Sequence, residues 1–307
     1  MTATTRQTAK QRIDRFVFGG IDPIRLDAFR RCISVTLLVY LCDRLMHPFI
    51  WLSDAGYHRS TAVQMPSTIP SLPTLPTELV LPFAVFYLAA VIGLIFGWRA
   101  RLLTWIVLAC NITITSIDPL AAYTLNHLYV TMFAVMALAT PPREVTTDSG
   151  PRSLQSAWPV RIMQASLIVM YFNAGYTKLS HGTWFEDPYT LWSQVQGFYA
   201  TDLAAWLLRT LPKPTWIALQ HIALSFELLA PAMFAVRRLR PLAILWGIGF
   251  HLIIALTMYK LFYFSFQMIC FYILFMDDAW LHRAAAEWRL RVSEPLRRLL
   301  ARPAAQA

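Results

Sequence analysis

Lysine, histidine and glutamate side chains stand inside apolar stretches of this sequence, where a charge is costly unless it is partnered, and such groups are the first candidates for chemistry. The run Tyr171-Phe172-Asn173-Ala174-Gly175-Tyr176-Thr177-Lys178-Leu179 is the most informative. In a helix, Tyr171, Ala174, Gly175 and Lys178 share one face. Ala174 and Gly175 are small enough for a neighbouring helix or a flat ligand to approach the backbone closely. Lys178 ends that face in one of two roles. It is a lysine snorkelling to the membrane surface with Trp184 as an interfacial anchor, or it is a base. The second role requires shielding from water, because burial pulls a lysine from about 10.4 towards about 5–6 and leaves it neutral at physiological pH.

Other polar groups fall at similar depth. Asn126-His127 opens one apolar stretch, His251 lies within another, and Gln267 within a third. Gln220 and Glu227 are seven residues apart on one helical face, and Asp43-Arg44 reads as a structural pair. A histidine alone is more commonly a hydrogen-bonded structural residue than a catalyst. What marks His127, His251, Asp43, Arg44 and Lys178 is that the topology sends them all towards one leaflet.

The elements that must position these groups follow from composition. Of 307 residues, 57% are hydrophobic and only 14% charged, with a mean hydropathy of +0.47. A soluble domain carries about a quarter charged residues, so soluble, disordered and disulfide-rich classes are excluded. The expected fold is all-α, a polytopic membrane bundle with spans at Phe29–Met46, Leu79–Gly97, Leu102–Ile117, Tyr123–Thr140, Ile162–Lys178, Trp216–Val236, Pro241–Met258 and Leu261–Met276. Eight spans place both termini on one side. With that side cytoplasmic, the outer side keeps only Arg44, Arg59, Lys178, Arg209, Lys213 and Lys260, as the positive-inside rule requires. The net charge of +10 is then a matter of topology, and no nucleic-acid partner is expected. Residues 1–28 are basic without an apolar core, so no cleavable signal is expected there.

Outside the spans, Pro66, Pro70, Pro73 and Pro76 mark 48–78 as an exposed loop. Within residues 181–215, Leu203, Trp206, Leu207 and Leu211 recur at helical spacing and predict a surface helix, and the segment as a whole is a candidate lid. Trp280, Ala284, Trp288 and Val292 among arginines predict a basic helix resting on anionic lipid. Three parts result: a basic N-terminal tail at 1–21, a membrane domain at 22–280 and a basic amphipathic tail at 281–307. Cys32, Cys42, Cys110 and Cys270 read as small hydrophobes, and no metal is expected because no ligand spacing occurs.

The Tyr171–Leu179 string with Trp184 resembles the YFxAGxxKL…W motif of the horizontally transferred transmembrane (HTTM) domain, the membrane part of vitamin K-dependent gamma-glutamyl carboxylase. Asn126-His127-Leu128-Tyr129 is similar to that family's NHxY motif and Gly249-Phe250-His251-Leu252 to its FHL segment. The resemblance implies a reduced quinone of the vitamin K or menaquinol type as cofactor, with Lys178 the base that deprotonates it and His127 its partner. Oxygen then adds, and the resulting base removes a glutamate proton before carbon dioxide is captured. It further implies Tyr171, Ala174, Gly175 and His251 as quinone-pocket residues.

Two departures are visible. Thr177 replaces a basic residue of the carboxylase, and the sequence ends at residue 307, soon after its last span, without the carboxylase's substrate-gripping domain. A carboxylase-like lyase in a bacterial cell membrane is therefore one expectation. The alternative is a non-enzymatic or peptide-maturation protein, like the membrane partner of the sporulation-delaying toxin, with a peptide as substrate. A transporter built around Glu227 is a third reading, without the internal repeats that would support it.

Overall fold

Each of the eight apolar segments folds as a helix in the computed structural model, which describes residues 8–56, 72–117, 123–147 and 150–293. The α-helices are α1 (Ala9–Phe18), α2 (Ile24–Arg44), α3 (Pro48–Leu52), α4 (Thr77–Phe96), α5 (Ala100–Ile117), α6 (Thr124–Leu138), α7 (Trp158–Ser180), α8 (Thr190–Val195), α9 (Asp202–Thr210), α10 (Lys213–Ala235), α11 (Arg240–Thr257), α12 (Leu261–Phe271) and α13 (Asp278–Trp288). Proline opens α3, α7, α10 and α11, where its missing N–H would have been unpaired anyway.

The eight long elements close into a ring in chain order: α2 packs on α4, then α5, α6, α7, α10, α11 and α12 follow, and α12 returns to α2. Across the middle, α2 and α12 both touch α6 and α7. The shared core holds Phe29, Ile33, Leu37, Tyr87, Tyr129, Phe133, Phe226 and Phe271, all essentially without exposure. The outer surface is apolar as well: Val35, Val39, Leu81, Val85, Leu245 and Ile253 all face outward. A soluble protein rarely leaves so much apolar surface uncovered.

By length and composition, four helices qualify as membrane spans: α4, α5, α10 and α11 with the turn before it. A fifth is reached if α12 with its following 3-10 turn and α13, bent by 119°, count as one. Helices α2 and α7 are as long, 21 and 23 residues, but carry polar and charged groups within them. Helix α6 has 15 residues.

The expected all-α architecture needs one correction. A small antiparallel sheet, in the order β1-β3-β2, joins β1 (Gly20–Ile21), β2 (Arg143–Thr147) and β3 (Gly150–Ser156). β-Branched residues in Val145-Thr146-Thr147 favour the pleat, and β3 leads directly into α7. The basic N-terminal tail is itself helical from Ala9, capped by a reciprocal bond pair between Thr8 and Gln11. Pro73 and Pro76 precede α4 without regular structure, whereas Pro66 and Pro70 lie outside the described residues. The helix predicted from Leu203 to Leu211 is α9.

Arginines collect at one end of the ring. Arg30 and Arg31 of α2 donate to the last carbonyls of α4, Leu94 O at 2.9 Å and Ile95 O at 3.2 Å, and so satisfy groups that a helix end leaves open. At the same end Arg161 of α7 meets Phe16 of α1, and Arg25 of α2 meets Asp278 of α13. The described first and last helices therefore share a side. Gly97 ends α4 there with φ +76, and a Cβ on it would stand 2.8 Å from Arg31 Nη2. Gly97→Ala is expected to cost about 1 kcal/mol for the left-handed backbone alone. An unchanged thermal midpoint in detergent would contradict this account of the α2–α4 junction.

Candidate functional site

Helix α10 supplies a face repeating every seven residues, Gln220, Glu227 and Phe234, and α7 runs against it. The approach is close because of Gly175: a Cβ there would lie 2.9 Å from Leu228 Cδ2 and 3.1 Å from the Glu227 carbonyl carbon. The small-residue face of α7 is thus filled by a helix at Gly175, and the flat ligand expected there has no room at that position. Ala174 is only half-buried.

At this contact Lys178 Nζ donates to both carboxylate oxygens of Glu227, each at 2.5 Å. Glu227 keeps 7% side-chain exposure and Lys178 27%. Trp184, buried, covers the ammonium with its ring centroid 4.9 Å from Nζ. Gln220 holds that cover in place, accepting from Leu191 N and donating to Trp184 O at 2.6 Å and Asp187 O at 2.8 Å. The segment expected to be a lid is therefore clamped to α10 over the ion pair.

Inward of the pair lies a row of buried polar rings. Tyr171 Oη sits 2.8 Å from His251 Nε2 and 2.5 Å from Tyr272 Oη. Its ring packs edge-on to Phe226 and stacks on Phe234. Gly247, one turn before His251, makes the row possible, since a Cβ there would be 2.2 Å from Tyr272 Oη. His251 Nδ1 has no hydrogen-bond partner among the described residues. The structure thus brings together Tyr171 and His251, two of the sequence-derived candidates, and adds Tyr272.

His127 stands apart. It is half-buried at the start of α6, and its side chain makes no hydrogen bond, ion pair or ring contact among the described residues. Among the described residues no hydrogen bond or ion pair joins it to Lys178, whose ion-pair partner is Glu227.

The expected Asp43-Arg44 pair is also corrected. Adjacent residues on a helix point in different directions. Arg44 donates to Tyr40 Oη and lies over the Trp51 ring at 4.6 Å. Asp43 accepts from Lys260 at 2.6 Å. Burial opposes the charge on Lys260, but the hydrogen bond and charge of Asp43 prevail and hold its ammonium above the usual lysine range. Two residues escaped the sequence reading: Glu227 as the partner of Lys178, and Tyr272. Glu227 carried a signal, an ionisable group in an apolar helix that demanded a partner. Tyr272 carried none, being one aromatic among many.

With this geometry in place, the comparison with known proteins is specific in one respect. The family model described as HTTM domain matches residues 18–280. No curated protein and no solved structure matches the chain.

Breaking the pair should reveal its coupling. Lys178→Met strands the Glu227 carboxylate, and the loss should fall between about 1 kcal/mol for an exposed pair and about 3–5 kcal/mol for a buried one. Adding Glu227→Gln should restore a substantial part of it. Thermal midpoints of the two single variants that simply add in the double variant would rule out the pairing.

Proposed function

The chain belongs to the HTTM-domain family, and we propose that it is a multi-pass membrane enzyme acting on a reduced quinone of the vitamin K or menaquinol type, with Lys178 as base in carboxylase-like chemistry. One observation carries this reading: a lysine and a glutamate paired under a tryptophan, within an apolar ring of helices. Desolvation penalises both charges of such a pair. A proton shift from Lys178 Nζ to Glu227 leaves an amine with a lone pair, able to take a phenolic proton.

A reduced quinone supplies that phenol and the reducing equivalents when bound. The residues present fit it at Lys178 and Trp184, a proton acceptor beside an aromatic surface, and not at Gly175, where α10 occupies the space. Tyr171 and His251 lie behind the pair and act on its proton balance, and no step is assigned to His127.

The same reading places eight crossings in a bacterial plasma membrane with both ends cytoplasmic. The closed ring and the gathering of arginines at the α1 and α13 end support it. A second reading, peptide maturation, draws on the exposed aromatic residues beside the clamped segment, with Phe198 97% exposed. In that case Lys178 and Glu227 are a structural clasp.

Two measurements decide between these. In nanodiscs supplied with reduced menaquinone and with oxygen as oxidant, Lys178→Ala should lower quinol oxidation by about 100-fold or more, the usual scale for losing a general base. Turnover equal to wild type in that variant, or none in the wild-type protein, would sink the enzyme reading. For topology, Glu186→Cys should react with a membrane-impermeant maleimide in intact cells, above the wild-type background. Arg283→Cys should react only after permeabilisation, and the reverse pattern would invert the orientation.

A further inference from the structure

At the end opposite Lys178, a cleft of roughly 920 Å³ opens between α1, α7, α11 and α13. Its volume lies within the range of about 300–1,000 Å³ common to small-molecule sites. Arg25, Arg161, Arg237 and Arg240 line it, facing two acids, Asp277 and Asp278. The acids are engaged elsewhere: Asp278 binds Arg25 at 2.5 Å, and Asp277 lies 3.8 Å from Arg237 and accepts from Ala279 N.

Arg161 and Arg240 have no carboxylate partner among the described residues. Each is instead fixed through its Nε, which donates to Phe16 O at 3.3 Å in Arg161 and to Phe234 O at 2.9 Å in Arg240. Arg161 also donates to Gln164 Oε1 and lies over the Phe16 ring. Both belong to the first turns of long helices, α7 and α11, and Arg25 to the first turn of α2. A helix N-terminus already carries partial positive charge, which makes it a poor place for arginine and a good place for an anion. Arg25, Arg161 and Arg240 also repel one another. Three positively charged helix starts converge on one cleft, and two of them carry guanidinium groups with no carboxylate partner among the described residues.

We propose that this cleft is a phosphate-binding site in which Arg161 and Arg240 contact the phosphate oxygens. Guanidinium forks match phosphate geometry, which a scattered lysine surface does not. The mouth is apolar, with Phe16 and Trp280 each at least half exposed, so the group best suited to it is the headgroup of an anionic phospholipid. A free phosphate compound presents the same chemistry, and the test separates the two.

The full chain in detergent is titrated with phosphatidylglycerol, and retained lipid is counted by native mass spectrometry with phosphatidylcholine as reference. The wild-type protein should prefer phosphatidylglycerol, and Arg161→Gln or Arg240→Gln should weaken retention by about ten-fold, the scale of one charged hydrogen bond. Arg283→Gln, which removes an exposed arginine of α13 outside the cleft, should leave it unchanged. Asp277→Asn keeps a good helix cap while removing a competing acid, and should tighten retention several-fold. A misfolded variant cannot produce that gain. Competition by inorganic phosphate identifies the free anion as sufficient, and retention that resists it identifies the lipid. Equal retention of the two lipids, or arginine variants that match wild type, or a loss in Asp277→Asn, would overturn the proposal.

Discussion

Lys178 and Glu227 meet because Gly175 lets two helix backbones come within side-chain reach of each other, and much of the ring's polar interior is organised around that contact. A charged pair in an apolar bundle is tolerated only when both members are fully engaged. The heptad spacing of α10 meets this demand in three steps along one face. Gln220 fastens the covering segment, Glu227 receives the lysine, and Phe234 stacks on Tyr171. A side chain at position 175 would separate the helices at the middle step and disturb the other two.

The ring was legible in the sequence because hydrophobic runs near the length of a membrane span have few other uses, and all eight became helices. The sorting of arginines to one end was equally legible, since it depends on charge and loop position rather than on packing. Pairing was not. Asp43 and Arg44 are neighbours in sequence, yet a helix turns them apart: Asp43 accepts from Lys260, far along the chain, while Arg44 donates to Tyr40 one turn back in α2 and lies over Trp51 of α3. Lys178 and Glu227 are separated by 49 positions, and only the α7–α10 contact brings them together. The Tyr171 face showed the same limit. Its small residues announced a close approach, but residue type alone does not say whether a helix or a ligand makes it. The three-stranded sheet went unseen because short strands on a loop carry little periodicity.

The two ends of the bundle have opposite electrostatic problems. At the Lys178 end, each of the three principal cations sits against an acid or aromatic rings: Lys178 on Glu227, Lys260 on Asp43, and Arg44 over Tyr40 and Trp51. At the arginine end, cations outnumber acids, and helix starts add to the excess. Side-chain pairing closes the first end. The second is closed partly by acids, Asp27 shared by Arg30 and Arg31 and Asp278 on Arg25, and partly by backbone carbonyls at Leu94, Ile95, Phe16 and Phe234, which accept from arginines without neutralising them. At Arg161 and Arg240 the acceptors carry no opposite charge, which is the physical condition for recruiting an anion.

Between these ends, α7 spans roughly 25 Å from Arg161 to Lys178 at about 1.5 Å per residue, and the interior along it passes from polar rings to purely apolar ones. From Glu227 the next titratable groups inward are Tyr171, His251 and Tyr272, linked by short hydrogen bonds. Beyond them Phe234 stacks on Tyr272 with centroids 5.3 Å apart, and Phe275 packs on Phe234 at 4.7 Å. Phe275 also lines the arginine cleft. Two phenylalanines thus stand between the polar row and the cleft. The lysine–glutamate pair and the arginine cleft are thereby set apart at opposite ends of α7.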